Sequence, residues 1–223
     1  MNQIIKYIGG KTFQPLLVRH LSKTRVYSKN GIRLDIPPQV FHPGFFFSTK
    51  ILLRYVEGMN LRNHSFLELG AGSGLIAFSA AKKGAVVTAT DINNAAVNYL
   101  EKNSKANNIP LKIILSDLFK NIRHQLFDII AVNPPYYKKQ PVTDADHAWY
   151  CGVEGEYFTR LFSDLRNYIH KNSEVIMVLS DECDIVMIMG IANNFSFEME
   201  LVLAKSFMTE QLFIYKIANT PIY

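Results

Sequence analysis

The chain has 223 residues, of which 48% are hydrophobic and 19% charged, and its formal net charge is +5. This length and composition suffice for one α/β domain with a buried core and exclude disordered or collagen-like chains. Cys151 and Cys183 lack CxxC spacing, which excludes a zinc ribbon or disulfide scaffold and favours a reducing, cytoplasmic location. The histidines show no metal-ligand spacing, and no apolar run approaches the roughly 18 residues that span a bilayer. We therefore expect no metal and no membrane segment.

The positive charge is concentrated near the amino terminus. Residues 1–50 contain eight Lys or Arg and one acid, whereas the rest of the chain contains 16 basic and 18 acidic residues. The basic positions are Lys6, Lys11, Arg19, Lys23, Arg25, Lys29, Arg33 and Lys50. Such a segment favours contact with an anionic partner, commonly nucleic acid, although a solvated basic surface is the alternative. We divide the chain into a basic extension at 1–48 and one domain at 49–223.

The extension contains a predicted β-hairpin. RVYSK and IRLDI flank Asn30-Gly31, a pair that favours positive φ at both positions of a tight turn. From residue 65 onward, apolar strand-like runs alternate with helical patterns. The predicted strands are 66–69, 86–90, 111–115, 127–132 and 175–179, and the predicted helices are 75–83, 95–106, about 154–169 and 185–195. This alternation predicts a parallel sheet with helices on both faces.

The chain changes its pattern near the carboxyl terminus. Residues 197–204 and 211–218 are strand-like, and the six residues between them are too few for a crossover helix. They therefore predict an antiparallel hairpin. The resulting fold class is α/β, a doubly wound and mostly parallel seven-stranded Rossmann-like sheet with an antiparallel C-terminal hairpin.

A glycine-rich turn and an acid mark a candidate nucleoside site. The run Glu68-Leu-Gly70-Ala-Gly72-Ser-Gly74 follows a strand and opens a helix, where glycines allow a ligand to approach the backbone closely. Asp91 ends the next strand, where a carboxylate can accept hydrogen bonds from both ribose hydroxyls. The pair predicts a nucleoside-containing cofactor and leaves its identity open. The GxGxG spacing differs from the GxGxxG of dinucleotide sites.

The ends of the next two predicted strands carry further polar groups. Asp117 lies where it can accept a hydrogen bond from an adenine amine, or alternatively cap a helix. Asn133-Pro134-Pro135-Tyr136 follows the fourth strand; its prolines remove backbone donors and leave the Asn amide oxygen and the carbonyls as acceptors. Tyr136 adds a flat face. The tetrapeptide suits a planar NH2 group, such as an amide or the exocyclic amine of a base.

With these motifs, the chain resembles a class I S-adenosylmethionine-dependent N-methyltransferase. The resemblance covers roughly residues 40–218 and is closest to the small-domain group. This group contains HemK-like glutamine methyltransferases and enzymes that methylate ribosomal RNA or the N6 nitrogen of adenine. It implies that Gly70, Gly72 and Gly74 pass close to the methionine part of S-adenosylmethionine. The other residues that it implies at the cofactor are Thr49, Glu68, Asp91 at the ribose, Asp117 at the adenine, and Asn133.

The resemblance also implies the catalytic residues. Asn133 and the Pro134 carbonyl would hold the target NH2, and Tyr136 would pack against the plane of the target. HemK-like proteins often carry Gly-Gly-x-x-Gly after NPPY, whereas residues 151–155 here read Cys-Gly-Val-Glu-Gly. They also carry a helical substrate domain, for which the first 48 residues are too short. Phe45 to Phe47 are read as core or lid, and His147 and Trp149 as pocket or surface loop.

We therefore predict methyl transfer to a planar nitrogen of a macromolecule, with an exocyclic amine of an RNA base favoured over a protein glutamine. Both acceptors offer the required NH2, and the sequence leaves the oligomeric state open. Two distant alternatives are a nicotinamide-dependent oxidoreductase, in which NPPY has no evident role, and a nucleoside-binding protein without catalysis.

Overall fold

The computed structural model describes residues 23–38, 40–207 and 210–219, and of residues 144 and 145 it describes the backbone alone. Lys6, Lys11 and Arg19 of the basic segment lie outside these ranges. The described chain begins with the predicted hairpin, formed by β1 (Arg25–Lys29) and β2 (Ile32–Ile36). Asn30 and Gly31 have φ of 51° and 73°, which confirms the turn. The division of the chain at residue 48 stays a prediction.

Five α-helices and nine further strands follow in the described ranges. The helices are α1 (Phe47–Glu57), α2 (Leu75–Lys82), α3 (Asn94–Asn107), α4 (Glu156–Leu165) and α5 (Ile185–Asn194). The strands are β3 (Ser65–Leu69), β4 (Val86–Asp91), β5 (Lys112–Leu115), β6 (Phe127–Val132), β7 (Tyr137–Lys138), β8 (Tyr150–Gly152), β9 (Ile169–Ser180), β10 (Phe197–Phe207) and β11 (Glu210–Asn219). None of the described helices is long and apolar enough to cross a membrane.

Seven strands form one sheet in the order β10-β11-β9-β6-β3-β4-β5. The β3–β4, β4–β5, β3–β6 and β6–β9 pairs are parallel, whereas β11 runs antiparallel to both β9 and β10. This order confirms the mostly parallel sheet with an antiparallel C-terminal hairpin. Because β6, β3, β4 and β5 are parallel neighbours, their carboxyl ends lie along one edge of the sheet.

Side chains of alternating strand residues fill two cores, one on each face of the sheet. Along β3, Phe66 belongs to the core that contains α1, α2, α3 and the hairpin residues Ile32, Leu34 and Ile36. The next residue, Leu67, belongs to the core that contains α4 and α5. Both positions are fully buried, as expected for a central parallel strand that is covered on both faces.

The segment after α4 differs from its sequence-based prediction. The predicted helix at about 154–169 ends at Leu165, a 3₁₀ turn covers Arg166–Tyr168, and Ile169 begins β9 instead of lying on the helix face. The Tyr168 ring stacks on Phe119 at 4.4 Å, and its hydroxyl donates to backbone carbonyls at Phe119 and Ile122. These tertiary contacts hold the turn, so that part of the prediction was wrong.

Two asparagines of α3 hold the amino-terminal hairpin against the domain. The side-chain oxygen of Asn103 accepts from the backbone N–H of Asp35 at 2.9 Å, and its amide donates to the Asp35 carbonyl at 3.0 Å. Asn107, one turn later, pairs in the same way with the backbone of Arg33. The side-chain amides of Asn103 and Asn107 thus make the backbone hydrogen bonds with β2 that a neighbouring strand would otherwise make.

We predict that Asn103→Ala lowers the free energy of unfolding by about 1–3 kcal/mol, because both polar backbone groups of Asp35 lose their partner. Urea denaturation followed by circular dichroism measures this change. Asn98→Ala is the matched control, since Asn98 is an exposed asparagine of the same helix. Equal stability of the two variants would show that the amide pairing does not hold the hairpin.

Candidate active site

The carboxyl edge of the sheet contains one cavity that collects nearly all of the predicted site residues. We call it the carboxyl-edge cavity. The predicted residues that line it are Thr49, Glu68, Gly70, Gly72, Asp91, Asp117, Asn133, Pro134 and Tyr136. Gly74, which the resemblance also placed at the cofactor, is absent from this lining. The roles of all these residues in ligand binding stay predictions.

Asp91 connects two of the loops that form the cavity. Its Oδ2 accepts from the backbone N–H of Gly72 at 2.7 Å, and its Oδ1 accepts from the N–H of Asn93 at 2.8 Å. The side chain is buried, and burial raises its pKa while these amide hydrogen bonds oppose the rise. A carboxylate oxygen can accept more than one hydrogen bond. Asp91 can therefore order the glycine turn and still accept from a ligand.

Gly70 and Gly74 differ in what surrounds them, although both have left-handed φ, at 70° and 76°. A Cβ at Gly70 would meet no atom within 4 Å, so the space beside it is open. A Cβ at Gly74 would lie 2.3 Å from Leu100 Cδ2 and 3.0 Å from Phe78. Gly70 therefore faces the cavity, whereas Gly74 allows the start of α2 to pack against α3.

Glu68 is a buried carboxyl group at the base of the cavity. Its Oε2 accepts from the N–H of Ala77 in the first turn of α2 at 2.7 Å, which satisfies a donor that the helix leaves free. The pKa of Glu68 is raised to about 8, mainly by burial; the hydrogen bond from Ala77 opposes the rise, and the charge of Asp91 adds to it. The group therefore favours its protonated form at neutral pH.

Helix α4 contributes two cavity residues that the sequence analysis missed. Arg160 and Tyr157 both line the cavity. The guanidinium Nη1 of Arg160 forms an ion pair with Asp117 Oδ2. Burial is the main cause that raises the pKa of Tyr157; the charge of Arg160 opposes the rise, and the charges of Asp91 and Asp117 add to it. The sequence signal was available but weak: these residues lie outside the apolar stripe of an amphipathic helix.

The Asn133-Pro134-Pro135-Tyr136 segment lies where β6 ends. Both prolines are buried, and the half-buried Asn133 lines the cavity. The ring of Tyr136 packs against the ring of its neighbour Tyr137, with 4.9 Å between the two ring centroids. Burial raises the pKa of Tyr136, so its hydroxyl stays protonated. The segment thus presents a rigid set of acceptors beside an aromatic ring.

An aromatic cluster of Phe41, Phe46 and Trp149 lies at the same end of the molecule. The Phe41 and Phe46 rings stack at 3.9 Å, and each lies 5.2 Å from the Trp149 ring. Phe41, Trp149 and His147 line the cavity. The pair of strands β7 and β8 holds the segment that carries Trp149 in place, because the N–H of Tyr137 donates to the carbonyl of Trp149 at 2.9 Å.

The three consecutive phenylalanines face different surroundings. Phe45 contacts His42 at 4.8 Å between ring centroids, and Phe46 belongs to the aromatic cluster. Phe47 stacks on Phe207 of β10 at 4.8 Å. Phe47 is partly buried against the core, which agrees with the core interpretation for this residue, and the lid interpretation stays a prediction.

The lining fits the nucleoside cofactor that the resemblance implies. Gly70 leaves open space at the turn, as a closely approaching ligand requires. Asp91 and Asp117 supply carboxylates at the ends of adjacent strands, suited to hydroxyl and amine donors. No group of three or more His, Cys, Asp or Glu within the described ranges is arranged to hold a metal ion.

Comparisons with known proteins show the family to which the chain belongs. Residues 37–197 match the family model described as "Methyltransferase small domain". The chain is 35% identical over 156 residues to a protein of Methanocaldococcus jannaschii named "Putative protein N5-glutamine methyltransferase", covering 67% of this chain and 77% of that protein. It is 34% identical over 113 residues to the release factor glutamine methyltransferase of Streptococcus pneumoniae, covering 49% of this chain and 39% of that enzyme.

Other similar proteins act on ribosomal components according to their names. Methyltransferases of ribosomal RNA and of ribosomal protein L11 are 26–35% identical to this chain, and it spans 33–40% of their lengths. Among solved structures, a 16S rRNA N2 G1207 methyltransferase of T. thermophilus, in complex with AdoMet and guanosine, has a TM-score of 0.60 at 18% identity. That match covers 87% of this chain and 50% of the other, and it shows the same fold.

We predict that Gly74→Ala costs more stability than Gly70→Ala. Both variants place a side chain at positive φ, which costs about 1–2 kcal/mol, but only the first adds a steric overlap, typically about 1–3 kcal/mol more. Urea denaturation of both variants measures the difference between their free energies of unfolding. The backbone strain that both variants share cancels in this difference. If Gly70→Ala were equally destabilising, the space beside Gly70 would be closed in solution.

We predict that Glu68→Gln stabilises the protein more at pH 9 than at pH 5. The folded pKa of Glu68, about 8, lies above its ordinary value of 4.5. Its contribution to stability is therefore complete below pH 4.5, declines as pH rises, and is lost once pH passes about 8. Each pH unit in between costs up to about 1.4 kcal/mol.

Urea denaturation at both pH values measures this effect as the difference between variant and parent. Glu154→Gln is the control, because Glu154 is an exposed glutamate beside α4. A stability difference for Glu68→Gln that stays constant from pH 5 to pH 9 would contradict the raised pKa.

Proposed function

Because this chain belongs to the methyltransferase small domain family and uses S-adenosylmethionine as its cofactor, we propose that it methylates the side-chain amide nitrogen of a protein glutamine. The observation that carries the proposal is that one cavity joins the glycine turn and Asp91 to the acceptor set at Asn133 and Pro134. Cofactor and acceptor can therefore meet in a single cavity.

In this proposal the turn beside Gly70 accommodates the methionine part of the cofactor, and Asp91 accepts from its ribose hydroxyls. Thr49, near the start of α1, lines the same space and is buried. When bound, the cofactor supplies a methyl group that a positively charged sulfur makes electrophilic. The protein then needs to align the acceptor nitrogen, and alignment alone contributes strongly to such a reaction.

Asn133 and Pro134 perform that alignment. The Asn133 side-chain oxygen and the Pro134 carbonyl accept the two N–H groups of the target, which fixes the amide plane. Acceptors in these positions also stabilise the positive charge that develops on the nitrogen. Tyr136, whose ring packs against Tyr137, supplies an aromatic wall for the planar group. The aromatic cluster provides apolar surface for the aliphatic stem of a glutamine.

The similarity to named relatives supports placing glutamine first among the candidate acceptors. The relative that shares 35% identity over 77% of its length carries a glutamine methyltransferase name, and so does the release factor enzyme. The ribosomal RNA enzymes share 26–30% identity over about a third of their lengths. We therefore place glutamine before an RNA base, reversing the order that the basic segment favours in the sequence.

An exocyclic amine of an RNA base is the second candidate, and the charge of the described residues favours it. Lys23, Arg25, Lys29 and Arg33 lie on or beside the β1–β2 hairpin, and β2 continues into the Val40–Phe41 segment that lines the cavity. Basic side chains in this place can contact phosphates. A base would have to be unstacked to enter the cavity.

The test is to incubate the protein with cell extract and tritiated S-adenosylmethionine, and then to treat the product with RNase or protease. We expect protease to release the label from macromolecules, and total enzymatic digestion to yield N5-methylglutamine. Release of the label by RNase instead would overturn the glutamine proposal in favour of the RNA base. Asn133→Ala serves as the control for background labelling.

We predict that Asn133→Ala reduces methyl transfer at least about a hundredfold while cofactor affinity stays within about twofold, because this residue holds the acceptor. A hundredfold loss corresponds to about 2.7 kcal/mol of transition-state stabilisation. Asp91→Ala should have the opposite profile, weakening cofactor binding by about 1–3 kcal/mol through lost charged hydrogen bonds. Turnover assays and calorimetry with S-adenosylhomocysteine measure the two effects.

The two variants control each other. Transfer by Asn133→Ala at more than a tenth of the parent rate would remove this residue from the acceptor site. An unchanged dissociation constant for Asp91→Ala would remove Asp91 from the cofactor site.

A further inference from the structure

The ion pair between Arg160 and Asp117 has no role in the function described so far. Arg160 lies in the second turn of α4, and its guanidinium contacts Oδ2 of Asp117, which follows β5. Both side chains line the carboxyl-edge cavity and remain partly accessible, with 48% and 34% of their side-chain surface exposed. The other carboxylate oxygen of Asp117 makes no hydrogen bond within the part of the chain that the structure describes.

The charge of Arg160 is opposite to that of the acidic residues that line the cavity. Three carboxyl groups line the cavity, at Glu68, Asp91 and Asp117, whereas Arg160 is the single Lys or Arg among the described lining residues. A positively charged side chain repels the positively charged sulfur of the methyl donor. Arg160 should therefore lie away from the reacting end of the cofactor. The loop after β5 is three strands from the loop after β6, which corresponds to about 14 Å. The loop that carries Asp117, the partner of Arg160, is therefore separate from the loop that carries Asn133.

Folding does not require this pair. Helix α4 is anchored by its apolar stripe, in which Phe158, Leu161, Phe162 and Leu165 are fully buried. An exposed ion pair contributes little to the free energy of folding, because solvent screens it and both side chains lose freedom. The contact is better explained by what it does to the orientation of Asp117 at the cavity.

We propose that Arg160 is a positioning residue for base recognition: it holds one oxygen of Asp117, so that the other oxygen accepts from the exocyclic amine of the cofactor's adenine. Without the guanidinium, Asp117 turns toward water and away from the like charge of Asp91. Cofactor selectivity then rests on the Arg160–Asp117 pair, whichever acceptor is methylated.

The test compares two ligands by calorimetry on the full chain: S-adenosylhomocysteine, and its analogue in which unsubstituted purine replaces adenine. The analogue lacks only the amine. We expect the parent protein to favour S-adenosylhomocysteine by about tenfold or more, as for a hydrogen bond to a charged group. Arg160→Gln should reduce this preference to below about threefold, and Arg160→Lys should retain part of it.

Further variants separate this role from a general loss of charge. Arg123→Gln removes an exposed arginine outside the cavity and should keep the parent preference. Asp117→Asn should also lose the preference, and adding Arg160→Gln to it should change the ratio no further. An unchanged ratio in Arg160→Gln would overturn the proposal. Tighter binding of S-adenosylhomocysteine by that variant would overturn it too, since Arg160 would then compete with the adenine.

The test of Arg160 measures the ratio of two ligand affinities, and this ratio does not depend on methyl transfer. Failure of this test leaves the glutamine proposal intact, and failure of the labelling experiment leaves the role of Arg160 intact.

Discussion

The hydrogen bonds that Asp91 accepts from the backbone of Gly72 and Asn93 hold the site together. They join the turn after β3 to the loop after β4, so that two neighbouring strand ends act as one unit. A buried carboxylate is costly unless it is hydrogen-bonded, and here backbone donors offset part of that cost. The same group remains at the cavity surface, where a nucleoside can use it. The acceptor segment, at the end of β6, lies on the other side of β3.

The sequence predicted the sheet and most of the cavity for a common physical reason. Local patterns identify parallel strands, and parallel strands place their carboxyl ends at one edge. Glu68, Asp91, Asp117 and Asn133 therefore converge although they are far apart in the chain. The Asn30-Gly31 turn was equally predictable, because its positive φ values are a local property.

Other features depend on contacts that no local pattern contains. Arg160 and Tyr157 lie outside an apolar stripe, and only the packing of α4 shows that their face meets the cavity. Gly74 belongs to the motif but faces Leu100, because its environment depends on how α2 and α3 pack. The end of α4 is set by the stack of Tyr168 on Phe119, which overrides helix periodicity.

The central claim is that one cavity orients the cofactor from Asp117 and Asp91 at one end to Asn133 at the other. A crystal structure of the protein with S-adenosylhomocysteine tests this most directly. The account predicts ribose hydroxyls on Asp91, the adenine beside Asp117, and the sulfur directed toward Asn133. A ligand bound in the reverse direction, or outside the carboxyl-edge cavity, would contradict it.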